Sequence, residues 1–343
     1  MLTGYRLVSE GSVVDLISPA QSARFTRDYR VKRLTTAGLK GSLLILGKGY
    51  TGEGLASHLQ QDEDWSVTCT VRSTRAGLQK DPHLLPCSFQ ESVAPGQDVK
   101  RALQESSHIL STIPPAEGSA SDPVLASLWA ELQEWGKRST AKWLGYLSST
   151  SVYGDWGGAW VDERSELRAT HPSSRGHRRW LTEQAWAALH GQHGLPVHIF
   201  RLGGIYGPGR SALDSIRQES TSLSKQRREG QLYTNRCHVY DICQVLHASM
   251  QQPRPGAVYN VVDDDPASRL AVMAYARQLL NGQASPQRLS SPQNGSDRRS
   301  TEEKRVANAL IKEELGVTLQ YPTYTEGLQA IAAGDTRLFK AGL

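Results

Sequence analysis

The chain has 343 residues, 38% of them hydrophobic and 21% charged, with a formal net charge of +5. That length suits one large α/β domain with a smaller lobe, or two ordinary domains, and the balance is that of a soluble globular protein. No run of about 18 apolar residues occurs, which excludes a membrane-spanning helix, and the basic excess points to anionic small molecules or weak nucleic-acid affinity.

The first forty residues precede any recognisable element. They carry seven Lys or Arg, but Glu10, Asp15 and Asp28 break the acid-poor pattern of a transit peptide, and no apolar stretch suits a secretory signal. We read 1–40 as an extension, flexible or targeting. From position 42 short apolar runs alternate with helical patterns. "SLLIL" (42–46) leads into a glycine loop and a helix starting near Glu53. "WSVTCTV" (65–71), "HLLPC" (83–87) and "HILSTI" (108–113) read as the next strands. Leu125, Leu128, Trp129 and Leu132 then follow the spacing of one helix face. "WLGYLSS" (143–149), a helix through "RRWLTEQAWAALH" (178–190) and the strand "PVHIFRL" (196–202) come next. A helix at 241–250 and a strand at 257–262 follow an irregular stretch.

Strands that are apolar runs, alternating with helices, predict a Rossmann-type doubly wound parallel sheet covered on both faces. The expected division is a core of 41–204 with 236–262, a smaller C-terminal α/β lobe of 205–235 with 263–335, and a mobile polar loop at 281–300. Trp129, Trp135, Trp143, Trp180 and Trp186 have spacings that suit core packing. Cys69, Cys87, Cys237 and Cys243 form no CxxC pair, so we expect buried free thiols, no metal and a reducing compartment.

"LILGKGYTGEGL" holds a GxGxxG between a predicted strand and helix, the context that gives the motif meaning. Gly47 permits the tight turn, Gly49 lets the backbone approach a pyrophosphate, and Gly52 lets helix and strand pack. Tyr50 and Thr51 open the helix, whose N-terminus suits phosphate. At the end of the second strand, where an NAD site places a carboxylate, stand Arg72, Ser73 and Arg75. A guanidinium can grip a 2′-phosphate, so NADP is the expected cofactor, with NAD the alternative.

With "YLSSTSVYGD" (146–155), "RLGGIYGPG" (201–209), "CHVYDICQVL" (237–246) and "GAVYNVVDDDPAS" (256–268) the chain resembles the extended short-chain dehydrogenases/reductases, the NAD(P)-dependent epimerase/dehydratase superfamily. The likeness spans 42–335. It implies that Ser149 is the hydroxyl member of a Ser/Tyr/Lys set. The Tyr-x-x-x-Lys slot, after Pro172 and before Glu183, holds Arg175 and Arg179 instead. "KRVANALIKEELGVTLQYPTYTEGL" (304–328) narrows the resemblance to an atypical YeeZ-like branch that lacks the usual tyrosine.

Arginine has no acceptor site and stays protonated, so Arg175 is neither general acid nor general base. One reading keeps chemistry: Ser149 and Tyr153 line the nicotinamide side, Tyr153 gives the proton, and Arg175 with Arg179 clamps an anionic substrate. The arginine could also polarise a carbonyl as hydride arrives. The other reading is a catalytically inactive NADP(H)-binding sensor or structural protein. His177 is read as a surface histidine, and Lys304-Arg305 as decoration of a helix N-terminal turn, with reinforcement of the substrate clamp as the alternative. "SKQRREG" (224–230) comes without a recognition motif, so no nucleic-acid partner is expected. No membrane partner is expected, and a homodimer is compatible with the pattern.

Overall fold

The computed structural model describes residues 41–60, 62, 64–72, 81, 83–89, 95–116, 121–218, 231–282 and 302–339. The 1–40 extension, Ser73, Arg75, the basic run 224–230 and most of the 281–300 tract lie outside them.

Chain order gives β1 (Gly41–Leu46), α1 (Tyr50–Leu59), β2 (Trp65–Val71), β3 (Leu84–Pro86), α2 (Gln97–Glu105), β4 (His108–Ser111), α3 (Pro123–Gly136) and β5 (Trp143–Ser149). A 3₁₀ turn (Thr150–Tyr153), β6 (Trp160–Val161), α4 (Arg175–His193), β7 (Val197–Leu202), β8 (Gly204–Tyr206) and α5 (Ala212–Arg217) follow. Then come β9 (Arg236–His238), α6 (Val239–Gln251), β10 (Val258–Val261), α7 (Arg269–Leu280), β11 (Arg305–Val306), α8 (Ala309–Leu315) and α9 (Tyr324–Ala332).

The seven expected strands form one sheet, ordered β10-β7-β5-β4-β1-β2-β3 and parallel throughout. Alternation along β1 sends Leu43 and Ile45 into one core with α1, α6 and α8. It sends Leu44 and Leu46 into the other core, with α2, α3 and α4. Burial on both faces is why the central strands β1, β4, β5 and β7 read as largely apolar runs. The order reverses between β1 and β4, so the carboxyl ends of those strands open a crevice there. A third, small core joins α5, α7 and α9 through Leu213, Val272, Tyr275 and Leu328.

Some expectations are corrected. The first helix begins at Tyr50, not near Glu53, because the turn needs only three residues. Trp135, Trp143 and Trp186 are fully buried, but Trp129 is 39% exposed. Leu128 leaves helical geometry (φ −129°, ψ 15°), which breaks the spacing and turns Trp129 outward, edge-on to His193. The pairs β8–β9 and β6–β11, of two or three residues each, were not foreseen. Lys304 and Arg305 decorate no helix: Arg305 lies in β11, and Lys304 is buried with its Nζ donating to the Gly154 carbonyl at 2.8 Å. All four cysteines are buried and free, and no His/Cys/Asp/Glu group suited to a metal occurs among the described residues. Among those residues no helix is long and apolar enough to cross a membrane.

Candidate functional site

The glycine turn joins β1 to α1 at the switch point. Gly47 has φ +97°, a conformation that side-chain-bearing residues rarely adopt. Its N–H donates to Thr70 Oγ1 at 2.8 Å, and its carbonyl accepts from Thr112 Oγ1 at 2.6 Å, so β2 and β4 pin the turn from both sides. A Cβ on Gly52 would meet the Gly47 carbonyl oxygen at 2.7 Å, whereas a Cβ on Gly49 would meet nothing within 4 Å. Gly49 is also the N-cap of α1 and offers no side chain to cap the helix. An open glycine in front of an uncapped helix N-terminus fits a dinucleotide pyrophosphate. Thr51 is buried in the first turn, and Arg72 follows β2, exposed. The Tyr50 side chain points elsewhere: its hydroxyl donates to the Pro208 carbonyl at 2.9 Å.

The far end of β5 carries the second group. Ser149, half-buried and opposite Leu202 of β7, accepts from the Ser151 N–H at 3.2 Å and so starts the 3₁₀ turn. Tyr153 is not presented to a cleft. It is fully buried, its hydroxyl donates to Asn260 Oδ1 at 2.8 Å and accepts from Arg201 Nη1 at 2.8 Å. Burial pushes that phenol up to about 12, with Arg201 pulling against it. The expectation that Tyr153 gives the proton is therefore overturned.

Tyr153 belongs instead to a buried polar row. Ser148, Arg201 and Asn260 are register partners across β5, β7 and β10. Arg201 grips Glu183 of α4 through Nε (3.0 Å) and Nη2 (2.6 Å), and Ser148 Oγ donates to the same carboxylate at 2.6 Å. This network ties α4 to the sheet beneath Ser149.

The arginine pair divides. Arg179 turns onto the sheet, where Nη1 donates to the buried Tyr146 hydroxyl at 2.9 Å and to the Leu147 carbonyl at 3.1 Å. It is not a free arm of a clamp. Its charge also works against the burial that raises the carboxyl of Asp122, the N-cap of α3. Arg175 opens α4 and is exposed. The next residue explains the close fit of this helix, since a Cβ on Gly176 would meet the Ser151 carbonyl oxygen at 2.5 Å. His177 is half-buried rather than exposed, with Nδ1 at 2.9 Å from the Ala169 carbonyl.

Sequence reasoning missed a pocket of about 420 Å³ beyond β7, walled by β8, β9, α5, α7 and α9. Arg210, Arg236 and Arg269 line it, against one carboxylate, Asp214. Arg236 is buried. Its Nη2 donates to the Ala267 carbonyl at 2.8 Å, while its Nη1, like Thr234 Oγ1, is buried with no hydrogen-bond partner. Behind it lies Asp263, whose carboxyl is buried and pushed well up, with Arg236 pulling against that shift. The available signals were Arg210 directly after "YGPG" and Arg236 two residues before His238.

A switch-point glycine turn with a ligand-sized pocket beyond the sixth strand of the sheet is the layout of the extended short-chain dehydrogenases/reductases. The chain belongs to the NAD dependent epimerase/dehydratase family, whose model matches residues 43–262. Within it, the chain is 27% identical to Protein YeeZ of Escherichia coli (strain K12) over 284 residues, 81% of this chain and 95% of that protein. A functionally unknown conserved protein from Silicibacter pomeroyi DSS is 38% identical and superposes with a TM-score of 0.66 over 85% of this chain and 98% of its own. The dTDP-glucose 4,6-dehydratase of Bacillus anthracis, solved in complex with NAD, shares the fold at 17% identity, with a TM-score of 0.64 over 85% of this chain and 96% of its own.

Proposed function

We propose that the protein binds NADP(H) at the glycine turn and acts on an anionic substrate as an oxidoreductase or epimerase-like enzyme, without a Tyr/Lys proton relay. The cofactor side rests on the family and on the open Gly49 before an uncapped α1. One observation carries the substrate side: a pocket lined by Arg210, Arg236 and Arg269 against a single carboxylate, Asp214. Three guanidinium groups around one pocket favour an anion, and a phosphate or carboxylate takes their charge-assisted hydrogen bonds best. The anion is therefore assigned to this pocket and not to an Arg175/Arg179 clamp.

The dinucleotide, when bound, supplies or takes up a hydride. Arg72 holds its 2′-phosphate. Arg236, Arg210 and Arg269 hold the anionic group of the substrate. Ser149 Oγ donates a hydrogen bond to the reacting oxygen, and the exposed Arg175 stabilises the charge that develops there. Neither takes a proton away, which suits reduction: hydride adds to the carbonyl carbon, and the alkoxide so formed takes its proton from solvent water. The buried Tyr153 also favours a second reading, a protein that binds dinucleotide and anion without turnover.

The test is a calorimetric titration with NADPH, NADH and their oxidised forms, repeated on Arg72→Asp. Tighter binding of the phosphorylated forms, lost in the variant, is expected. No binding of any dinucleotide would sink the proposal. Single-turnover loss of NADPH absorbance with phosphorylated aldehydes and ketones then separates the two readings.

A further inference from the structure

Tyr50 stands between the two halves of the site. It is the first residue of α1, inside the glycine turn, yet its side chain lies against Arg210, which lines the arginine pocket. Its hydroxyl donates to the carbonyl of Pro208 at 2.9 Å. Its ring centroid lies 5.4 Å from the Arg210 guanidinium carbon, and the ring stacks on Phe339 at 4.8 Å with planes 15° apart. Gly207 and Arg210 close a backbone bridge around this contact, and a Cβ on Gly207 would collide with the Tyr50 hydroxyl oxygen. Arg210 is exposed and lines the pocket beside Gly209 and Ser211. A long cation on an exposed turn has many rotamers, and a ring beneath it restricts them.

We infer that Tyr50 is a positioning residue for the anion pocket: it fixes the 207–210 turn and the direction of Arg210. The pocket's affinity for an anion is thereby tied to the glycine turn that receives the dinucleotide. This rests on the functional reading above.

The probe is inorganic pyrophosphate, titrated calorimetrically onto protein saturated with NADP, so that the glycine turn is not open to it. Tyr50→Ala is expected to weaken pyrophosphate about tenfold, the scale of a lost cation–π contact and hydrogen bond together. Tyr50→Phe keeps the ring and should lose about threefold or less, since only the bond to Pro208 goes. In an Arg210→Gln background the Tyr50→Ala step should cost less than twofold, because a residue acting through Arg210 has nothing left to position. Equal affinity in wild type and Tyr50→Ala would overturn the inference, as would losses that simply add in the double variant. Arg236→Gln controls for the site. If wild type binds neither NADP nor pyrophosphate, the functional reading fails and this inference falls with it. If wild type binds both and Tyr50 is silent, only this inference fails. Tyr50→Phe guards against a folding defect in the alanine variant, with thermal unfolding measured on each.

Discussion

Replacing Arg201 by Met should be among the most damaging single changes in the sheet. Arg201 and Glu183 are an ion pair with side chains only 6% and 5% exposed, joined at 2.6 Å. Removing the guanidinium leaves the Glu183 carboxylate with one donor, Ser148 Oγ at 2.6 Å, and takes from Tyr153 the donor to its hydroxyl. A buried charge stripped of its partner costs about 3–5 kcal/mol. For a chain of this size about 2 °C of unfolding midpoint is lost per kcal/mol, so the expected drop is about 6–10 °C by differential scanning fluorimetry. Two further features identify the cause. The deficit should shrink as pH falls, because an unpartnered buried carboxylate takes up a proton more readily folded than unfolded, so its penalty is relieved on acidification. Adding Glu183→Gln to Arg201→Met should restore part of the loss, since no charge is then left without a partner. A single variant within about 1 kcal/mol of wild type, or a double variant worse than Arg201→Met, would refute the argument.

The glycines of the turn should separate folding from binding. Gly52→Ala forces a Cβ against the Gly47 carbonyl and should lower stability by about 1–3 kcal/mol in urea titrations. Gly49→Ala meets no protein atom and should leave the unfolding curve in place while weakening NADP at least tenfold by calorimetry. Of the arginines, Arg179→Met should cost about 1–3 kcal/mol by stranding the Tyr146 hydroxyl and the Leu147 carbonyl. Arg175→Ala, at an exposed position, should stay within about 0.5 kcal/mol in the same assay and alter only turnover. His198 is buried with Nε2 accepting from the Arg254 N–H at 2.8 Å, and burial lowers its pKa to about 4. Its contribution is full above pH 6.5 and is lost as pH falls towards 4, because the unfolded chain takes the proton first. His198→Gln should therefore flatten the pH dependence of unfolding in that window. A difference curve with no slope there would count against a neutral buried His198.

The seven-stranded sheet was legible chiefly because its central strands are buried on both faces and leave runs such as Leu43–Leu46 in the sequence. The pairs β6–β11 and β8–β9 were not, since two or three residues carry no periodicity and their pairing joins segments far apart in the chain. The glycine turn was readable residue by residue: backbone conformation requires Gly47, the Gly47 carbonyl excludes a side chain at Gly52, and Gly49 is left open. Tyr153 misled because a motif fixes a residue's place along the strand, not the side to which its hydroxyl points. Arg201 went unnoticed inside the apolar "HIFRL", where its partner Glu183 lies on another element. The arginine pocket could not be foreseen for a similar reason. Arg210, Arg236 and Arg269 come from three separate stretches that only the fold assembles.

The stack of Phe339 on Tyr50 has a consequence for how the chain is made. A Cβ on Gly54 of α1 would sit 3.6 Å from Leu338, so residues 338 and 339 lie over a helix that emerges near the start of the sheet. During synthesis α1 would lack that cover until residues 338 and 339 had emerged. Contacts of such sequence separation close late and slow folding. The cover over the helix that faces the phosphates would then close later than the packing of that helix on the sheet and α6.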